Sequence, residues 1–189
     1  MSCRVFFDTN GANKDKCKLL MRLDADELAR WESEVCSAYS PGAVDDDEVV
    51  YQQIVDPTHI APDGAGLKPT AFDACSSIGL STNRLRHSSW RLLVERGVHR
   101  ADAFNAANPA RPPRSLWGFA PYPVGAVRRI ISNSTGTRGF FVYDTALADD
   151  ASHADICQGA QDQRSERSVR FALYDLVKGA LIPLSAVNE

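Results

Sequence analysis

Residues 49–55 read VVYQQIV, and this run decides the fold class. β-branched and aromatic side chains are enriched in strands because they pack well on a pleated surface. Asp56 and Pro57 follow directly, and proline cannot donate the hydrogen bond that a central strand needs. The run therefore predicts a central β-strand that stops at Asp56.

Further elements surround this strand. Apolar runs predict buried strands at 139–143 and 153–157. Near the C-terminus, apolar residues recur at helical spacing from Val169 to Val177, and Gly179 stands where a helix cap is expected. The sequence thus predicts a single α+β domain with a mostly antiparallel or mixed sheet and a C-terminal helix that packs on it.

The N-terminal region predicts a hairpin followed by a helix. Val5–Phe7 and Lys18–Leu23 are the two expected strands, and the residues between them favour a turn. Asp24 is expected to cap a helix, with Glu27 three residues later completing a capping box. Apolar residues expected on one face of that helix are Leu28, Trp31, Val35 and Ala38.

This hairpin-helix unit is expected to occupy residues 1–44, with the main α+β domain at 45–189, unless the two form one continuous domain. In the middle of the main part, residues 88–97 predict a short helix with Trp90, Leu93 and Val94 inward. Residues 107–125, ANPARPPRSLWGFAPYPVG, predict a long proline-rich connection.

Composition excludes several classes of protein. The formal net charge of −3 argues against a broad nonspecific grip on nucleic acid, which needs a dense positive surface. The five cysteines are odd in number and never form a Cys-x-x-Cys pair, so they indicate neither a disulfide framework nor a zinc ribbon. No membrane-spanning run or signal peptide is visible. We therefore expect a cytoplasmic protein in a reducing compartment.

The stretch CRVFFDTN, residues 3–10, is an apolar run that ends in Asp-x-Asn. It resembles the beginning of PIN-type ribonuclease domains. That resemblance implies a metal-dependent nuclease with Asp8 as its first metal ligand. Such a site needs several carboxylates around a divalent cation, and the later candidates are Asp144, Asp149 and Asp150.

Four segments of the middle and later chain form a second pattern. They are VYQQIVDPTHI (50–60), KPTAF (68–72), GLSTNR (79–84) and SHADIC (152–157). Together they resemble a group of short, uncharacterised bacterial proteins, over about residues 49 to 158. This resemblance implies a bacterial origin and no particular activity.

The same segments place polar side chains at expected strand ends, where a sheet commonly carries a site. His59 and His153 can act as an acid and a base because imidazole titrates near neutral pH, and Ser81 is the third candidate catalytic residue. The alternative interpretation is that both histidines satisfy buried backbone groups or cap turns.

Three further residues are expected to bind substrate. Arg84 can clamp an anionic group, Thr70 can orient it, and Tyr51 lies on the central strand. This set predicts an enzyme that acts on a nucleotide or a phosphodiester. No cofactor motif is present, since the Gly-x-Gly at 64–66 is too short and wrongly placed for a dinucleotide loop; the cofactor is therefore unknown.

A non-catalytic protein that binds RNA or a partner protein is the alternative. Its evidence is an arginine-rich stretch that runs into an aromatic segment, because guanidinium groups and aromatic faces bind single-stranded nucleic acid. The cationic residues are Arg84, Arg86, His87, Arg91, Arg96, Arg100, Arg111 and Arg114, and the aromatic ones are Trp117, Phe119 and Tyr122.

Overall fold

The computed structural model describes residues 1–64, 66–159 and 163–187. The helices are α1 (Cys3–Asn10), α2 (Lys16–Leu20), α3 (Ala25–Glu32), α4 (Trp90–Ala107), α5 (Val124–Arg128) and α6 (Gln163–Val177). The strands are β1 (Val49–Asp56), β2 (Leu80–Arg84), β3 (Ser115–Pro123), β4 (Phe140–Asp144), β5 (His153–Gln158) and β6 (Ile182–Pro183). Short 3₁₀ helices lie at Pro69–Ser76, Leu85–His87 and Leu184–Ala186.

The six strands form one antiparallel sheet in the order β4-β5-β2-β1-β3-β6. The predicted central strand is confirmed as β1, which pairs with β3 along its whole length. The strands predicted at 139–143 and 153–157 are confirmed as β4 and β5, each one residue different in extent. The α+β class, the antiparallel sheet and the C-terminal helix of the sequence prediction are confirmed.

Helices cover both faces of the sheet. On the first face, Val169, Leu173 and Val177 of α6 are buried in the main hydrophobic core, as their helical spacing predicted. On the second face, the N-terminal helices pack against β4 and β5 through Phe7, Trp31 and other buried residues. The helix α4 covers β1 and β3 on that face. The second face is therefore covered by the N-terminal helices over β4 and β5 and, separately, by the single helix α4 over β1 and β3.

The predicted N-terminal hairpin is wrong, because helices α1 and α2 take the place of its two strands. Cys3, Phe6 and Phe7 are buried, and their spacing is that of one helical face. Ser2 caps α1 by accepting a hydrogen bond from the Val5 backbone N–H at 3.4 Å. The run Val5–Phe7 on which the strand prediction rested is too short to show this helical periodicity.

The predicted cap of the third helix is confirmed, since the Asp24 carboxylate accepts from the Glu27 backbone N–H at 2.7 Å. Leu28 and Trp31 are buried as predicted. The helix ends at Glu32, however, and Val35, which was expected on the buried face, is 49% exposed. Backbone N–H groups of Ser33 and Glu34 bond to carbonyls three residues back, which closes the helix early.

The predicted proline-rich connection is also wrong over residues 115–123, which form β3, and the helix before it, α4, runs to Ala107. Pro121 and Pro123 are tolerated because β6 pairs with β3 only at Gly118 and Phe119. Beyond that point β3 is an edge strand, where a missing N–H costs no ladder hydrogen bond. Gly118 lies against the Ile182 carbonyl so closely that a side chain would collide with it.

Cys3 and Cys36 form a disulfide with a Cα–Cα distance of 5.0 Å. The cysteine pattern indicated no disulfide framework, so the structure corrects that interpretation for this pair. The bond joins the start of α1 to the segment after α3, and Cys17, Cys75 and Cys157 are buried free thiols. Whether the protein is cytoplasmic stays a prediction. Among the described residues, no helix combines the length and apolarity needed to cross a membrane.

The disulfide generates a first prediction. In denaturant without reductant, thiol titration should find three free cysteines, and all five after reduction. Reduction should lower the free energy of unfolding by about 2–4 kcal/mol, because the unfolded chain is no longer cross-linked across 33 residues. A Cys3→Ser, Cys36→Ser variant should show no such dependence on reductant. Five free thiols before reduction would contradict the disulfide.

Candidate functional site

The sheet divides between β1 and β2. These two strands pair only at Val50 with Arg84 and at Tyr51 with Asn83. Further along, Gln52 and Gln53 of β1 have no partner on β2, so the strands diverge. A cleft of about 320 Å³ opens at this divergence, and we call it the strand cleft. Its lining is Gln52, Gln53, Val55, His59, Thr70, Ala71, Ala74, Ile78, Gly79, Leu80, Ser81, Asn83, Gly97, Arg100, Ala101 and Arg114.

The strand cleft brings together three of the six predicted site residues, namely His59, Ser81 and Thr70. His153 adjoins it through a direct contact with Ser81. The Ser81 Oγ lies 2.8 Å from the His153 Nε2. The two side chains share one face because Ser81 is opposite Asp155 and Asn83 is opposite His153 in the β2–β5 register.

The tautomer of His153 follows from its other ring nitrogen. His153 Nδ1 lies 3.0 Å from the backbone carbonyl oxygen of Thr145, and 3.0 Å from the Thr145 Oγ1. A carbonyl oxygen only accepts, so in the neutral ring Nδ1 carries the proton and Nε2 accepts from the Ser81 hydroxyl. Ser81 and His153 thus form a hydroxyl and base pair whose base is oriented by a third group.

His59 lies in the same cleft with a different environment. Its Nδ1 accepts from the Val55 backbone N–H at 3.1 Å, and its ring also bonds to the Gln53 backbone. Burial lowers the pKa of His59 to about 4, and the positive charge of Arg114 acts in the same direction. His59 is therefore neutral near pH 7, with its ring engaged by the β1 backbone. It forms a wall of the cleft.

Arg84 lies apart from the strand cleft and is buried at 2% exposure. Its guanidinium donates to both Glu48 carboxylate oxygens, at 3.0 and 2.7 Å, and to the carbonyl oxygens of Gly42 and Ala43. Asp144 Oδ1 lies 3.7 Å from it. With its donors directed at these internal partners, Arg84 is placed as a structural anchor of β2.

Tyr51 packs its ring edge-on against Trp90 of α4, with ring centroids 4.8 Å apart. Burial raises the pKa of its hydroxyl. Tyr51 therefore packs against α4 and is not part of the lining of the strand cleft.

Two arginines that the substrate prediction did not include line the cleft. Arg100 Nη1 donates to the Gln53 Oε1 at 3.3 Å, and the Arg114 guanidinium stacks on the Phe104 ring at 3.4 Å. Asn105 holds the Arg114 backbone by two hydrogen bonds of 2.9 and 2.7 Å. Among the described side chains, no carboxylate lies within 4.0 Å of either guanidinium. The cleft therefore carries two cations that form no ion pair with a carboxylate of the described residues.

A buried ion pair lies behind Ser81. Lys16 Nζ contacts Asp155 Oδ2 at 2.6 Å, and the two side chains are only 5% and 4% exposed. Burial acts to lower the pKa of Lys16, but the Asp155 carboxylate together with the nearby Cys157 and Cys17 more than offsets this effect, and the pKa is raised. The small Gly79 next to Asp155 leaves room for this carboxylate, since a Cβ there would lie 2.9 Å from Asp155 Cγ.

The carboxylates of the PIN-type interpretation lie in separate environments. Asp8 is exposed on α1 and pairs with Arg4 at 3.7 Å. Asp144 is buried beside Arg84, and burial raises its pKa to about 6. Asp150 accepts hydrogen bonds from Asn83 and Ser152. Within the part of the chain that the structure describes, no group of three His, Cys, Asp or Glu side chains is placed to hold a metal ion.

Comparison with known proteins identifies no relative: neither a protein-family model, nor a curated protein, nor a solved structure matches this chain. The function is therefore inferred from the geometry of the strand cleft.

The environment of His59 generates a second prediction. Its pKa is about 4 in the folded state and near 6.5 when exposed, so between these values the unfolded state binds the proton more readily. The stability that neutral His59 contributes is complete above pH 6.5 and is lost as the pH falls towards 4. The stability advantage of wild type over His59→Gln should therefore shrink by about 2 kcal/mol between pH 7.5 and 5.0.

Urea unfolding of both proteins at several pH values measures this difference, and His99→Gln is the control because His99 is exposed. Groups common to both proteins, including Asp144, cancel in the comparison. Parallel curves for wild type and His59→Gln would show that His59 titrates normally.

Proposed function

We propose that this protein is an enzyme that hydrolyses a phosphodiester of the nucleotide class in the strand cleft, with Ser81 as nucleophile and His153 as its general base. The observation that supports it is the 2.8 Å contact from Ser81 Oγ to His153 Nε2, together with the Thr145 carbonyl that orients the ring. Ser81 lines the cleft, so its hydroxyl can meet a substrate there. A nucleophile, a base and an orienting group in sequence form the usual arrangement for covalent catalysis.

The two guanidiniums support an anionic substrate. Arg100 and Arg114 line the cleft that Ser81 lines, and phosphate oxygens are favoured partners for guanidinium groups. The stacking of Arg114 on Phe104 holds its charge in place before a ligand arrives. A cleft of about 320 Å³ is within the range of small-ligand sites. These properties favour a phosphate ester over a neutral ester.

In the first step, the Ser81 Oγ attacks phosphorus while its proton passes to the His153 Nε2. Arg100 and Arg114 stabilise the negative charge that increases on the phosphoryl oxygens. The bond from phosphorus to the leaving oxygen breaks, and His153 returns the proton to that oxygen. The products are an alcohol or nucleoside and a covalent intermediate in which the Ser81 Oγ is joined to phosphorus and the phosphorus keeps the second ester group of the substrate.

In the second step, His153 accepts a proton from water, whose oxygen attacks the phosphorus of the diester formed with Ser81. The bond between phosphorus and Ser81 Oγ breaks, the proton returns to Ser81, and a phosphate monoester leaves. His59 forms an uncharged part of the cleft wall. It also fixes the loop after β1, because its ring nitrogens bond to the backbone of that strand.

The third prediction concerns turnover of bis(p-nitrophenyl) phosphate and of nucleoside p-nitrophenyl phosphates. Ser81→Ala and His153→Gln should each lower kcat/KM by at least about 100-fold, because each removes one half of the reacting pair. Ser33→Ala and His99→Gln are the matched controls, since both residues are exposed and outside the cleft. Thermal unfolding of each variant checks that it is folded.

Acid quenching during turnover of bis(p-nitrophenyl) phosphate, followed by peptide mass spectrometry, should find a p-nitrophenyl phosphoryl group on Ser81 in wild type. Full activity in Ser81→Ala would overturn the nucleophile assignment. Absence of turnover by the folded wild type on every phosphodiester tested would overturn the proposed reaction.

A further inference from the structure

A second cavity of about 330 Å³ lies between the 3₁₀ helix Pro69–Ser76 and helix α6. We call it the α6 groove; its lining is Pro69, Thr70, Asp73, Arg167, Arg170, Phe171 and Tyr174. Thr70 is exposed and lines both this groove and the strand cleft. The two cavities therefore adjoin at one residue.

The α6 groove presents an aromatic surface. Phe171 is 51% exposed, whereas Val169, Leu173 and Val177 of α6 are buried in the core. The Tyr174 ring is held edge-on against the buried Phe72, with centroids 6.0 Å apart and an interplanar angle of 88°. An exposed ring beside a fixed ring is a surface on which a planar base can stack.

Cationic groups stand beside these rings. Arg170 Nη1 lies 3.1 Å from Asp73 Oδ1 and 3.5 Å from Ser76 Oγ, which fixes its guanidinium at the wall of the groove. Arg167 is exposed and lines the groove one helical turn away from Phe171. Aromatic faces with arginines are the combination that proteins use for bases and the phosphates attached to them.

We propose that the α6 groove binds the second nucleoside of a dinucleotide whose first nucleoside occupies the strand cleft. The ligand class is two nucleosides joined through phosphate, with the linkage passing Thr70 towards Ser81. This inference rests on the proposed function and names its substrate class. The two cavities have nearly equal volumes, about 320 and 330 Å³, so each accommodates one unit of similar size.

The fourth prediction is tested by measuring ligand binding to the Ser81→Ala variant, in which turnover is prevented. Calorimetric titration uses three probes: adenosine monophosphate, a 3′,5′-linked diadenosine monophosphate, and the 5′,5′-pyrophosphate-linked dinucleotide NAD. At least one dinucleotide should bind more tightly than the mononucleotide. Adding Phe171→Ala should lower the affinity for that dinucleotide by roughly 5- to 150-fold, because a stacked base is lost. Its effect on the mononucleotide should be under about twofold.

Two variants separate the ring from simple apolar contact. Phe171→Tyr should retain the affinity, whereas Phe171→Leu should lose most of it because only the aromatic face stacks. Ile131→Ala is the control, since Ile131 is 49% exposed and lies outside both cavities. Comparison of the affinities for the two dinucleotides shows which linkage between the nucleosides the protein prefers.

Equal affinity for the mononucleotide and both dinucleotides would overturn the proposal, as would an unchanged dinucleotide affinity in Phe171→Ala. Loss of dinucleotide binding in Phe171→Ala, in a protein that hydrolyses no phosphodiester, would support the groove as a nucleoside site and overturn only the proposed catalysis.

Discussion

The buried ion pair between Arg84 and Glu48 holds the two halves of the sheet together. Arg84 ends β2 and Glu48 directly precedes β1, and the guanidinium contacts both carboxylate oxygens. The only register pairs between β1 and β2, Val50 with Arg84 and Tyr51 with Asn83, lie at this end. Because removal of one partner would leave a buried charge unpaired, this contact strongly favours one arrangement of the two strands. The strands separate away from it, and the cleft opens there.

The strand cleft places polar side chains between two strands of the sheet, while the strand pairing on either side of it is kept. Each half of the sheet has its own partner strands, β5 for β2 and β3 for β1, so the divergence leaves the long ladders intact. On the second face, the N-terminal helices cover one half and α4 covers the other. Ser81 and His153 lie on β2 and β5, whose pairing fixes their separation, and the cations Arg100 and Arg114 come from α4 and the segment before β3.

Local signals in the sequence were sufficient for elements with strong patterns. The β-branched run of β1, the buried runs of β4 and β5, and the spacing of Val169, Leu173 and Val177 each predicted the observed element. Local signals failed where the environment overrides them. Residues 115–123 contain two prolines and read as a loop, yet they form β3 because β1 offers a partner on one side and β6 leaves the other side unpaired at Pro121 and Pro123. That pairing is a long-range contact, which no local window contains.

The residue types of the candidate site and two strands beside it, β1 and β5, are predictable from the sequence alone: Ser81, His59, Thr70 and His153 are all identifiable as polar residues near expected strand ends. Their partners, in contrast, follow only from the tertiary structure. The β2–β5 register joins Ser81 to His153, the β1 backbone engages His59, and Glu48 takes up Arg84. Arg100 lies at the cleft because α4 packs on β1 and β3, and Arg114 lies there because it directly precedes β3. Side-chain chemistry is a property of each residue, whereas partners, burial and charge balance depend on contacts between residues far apart in the chain.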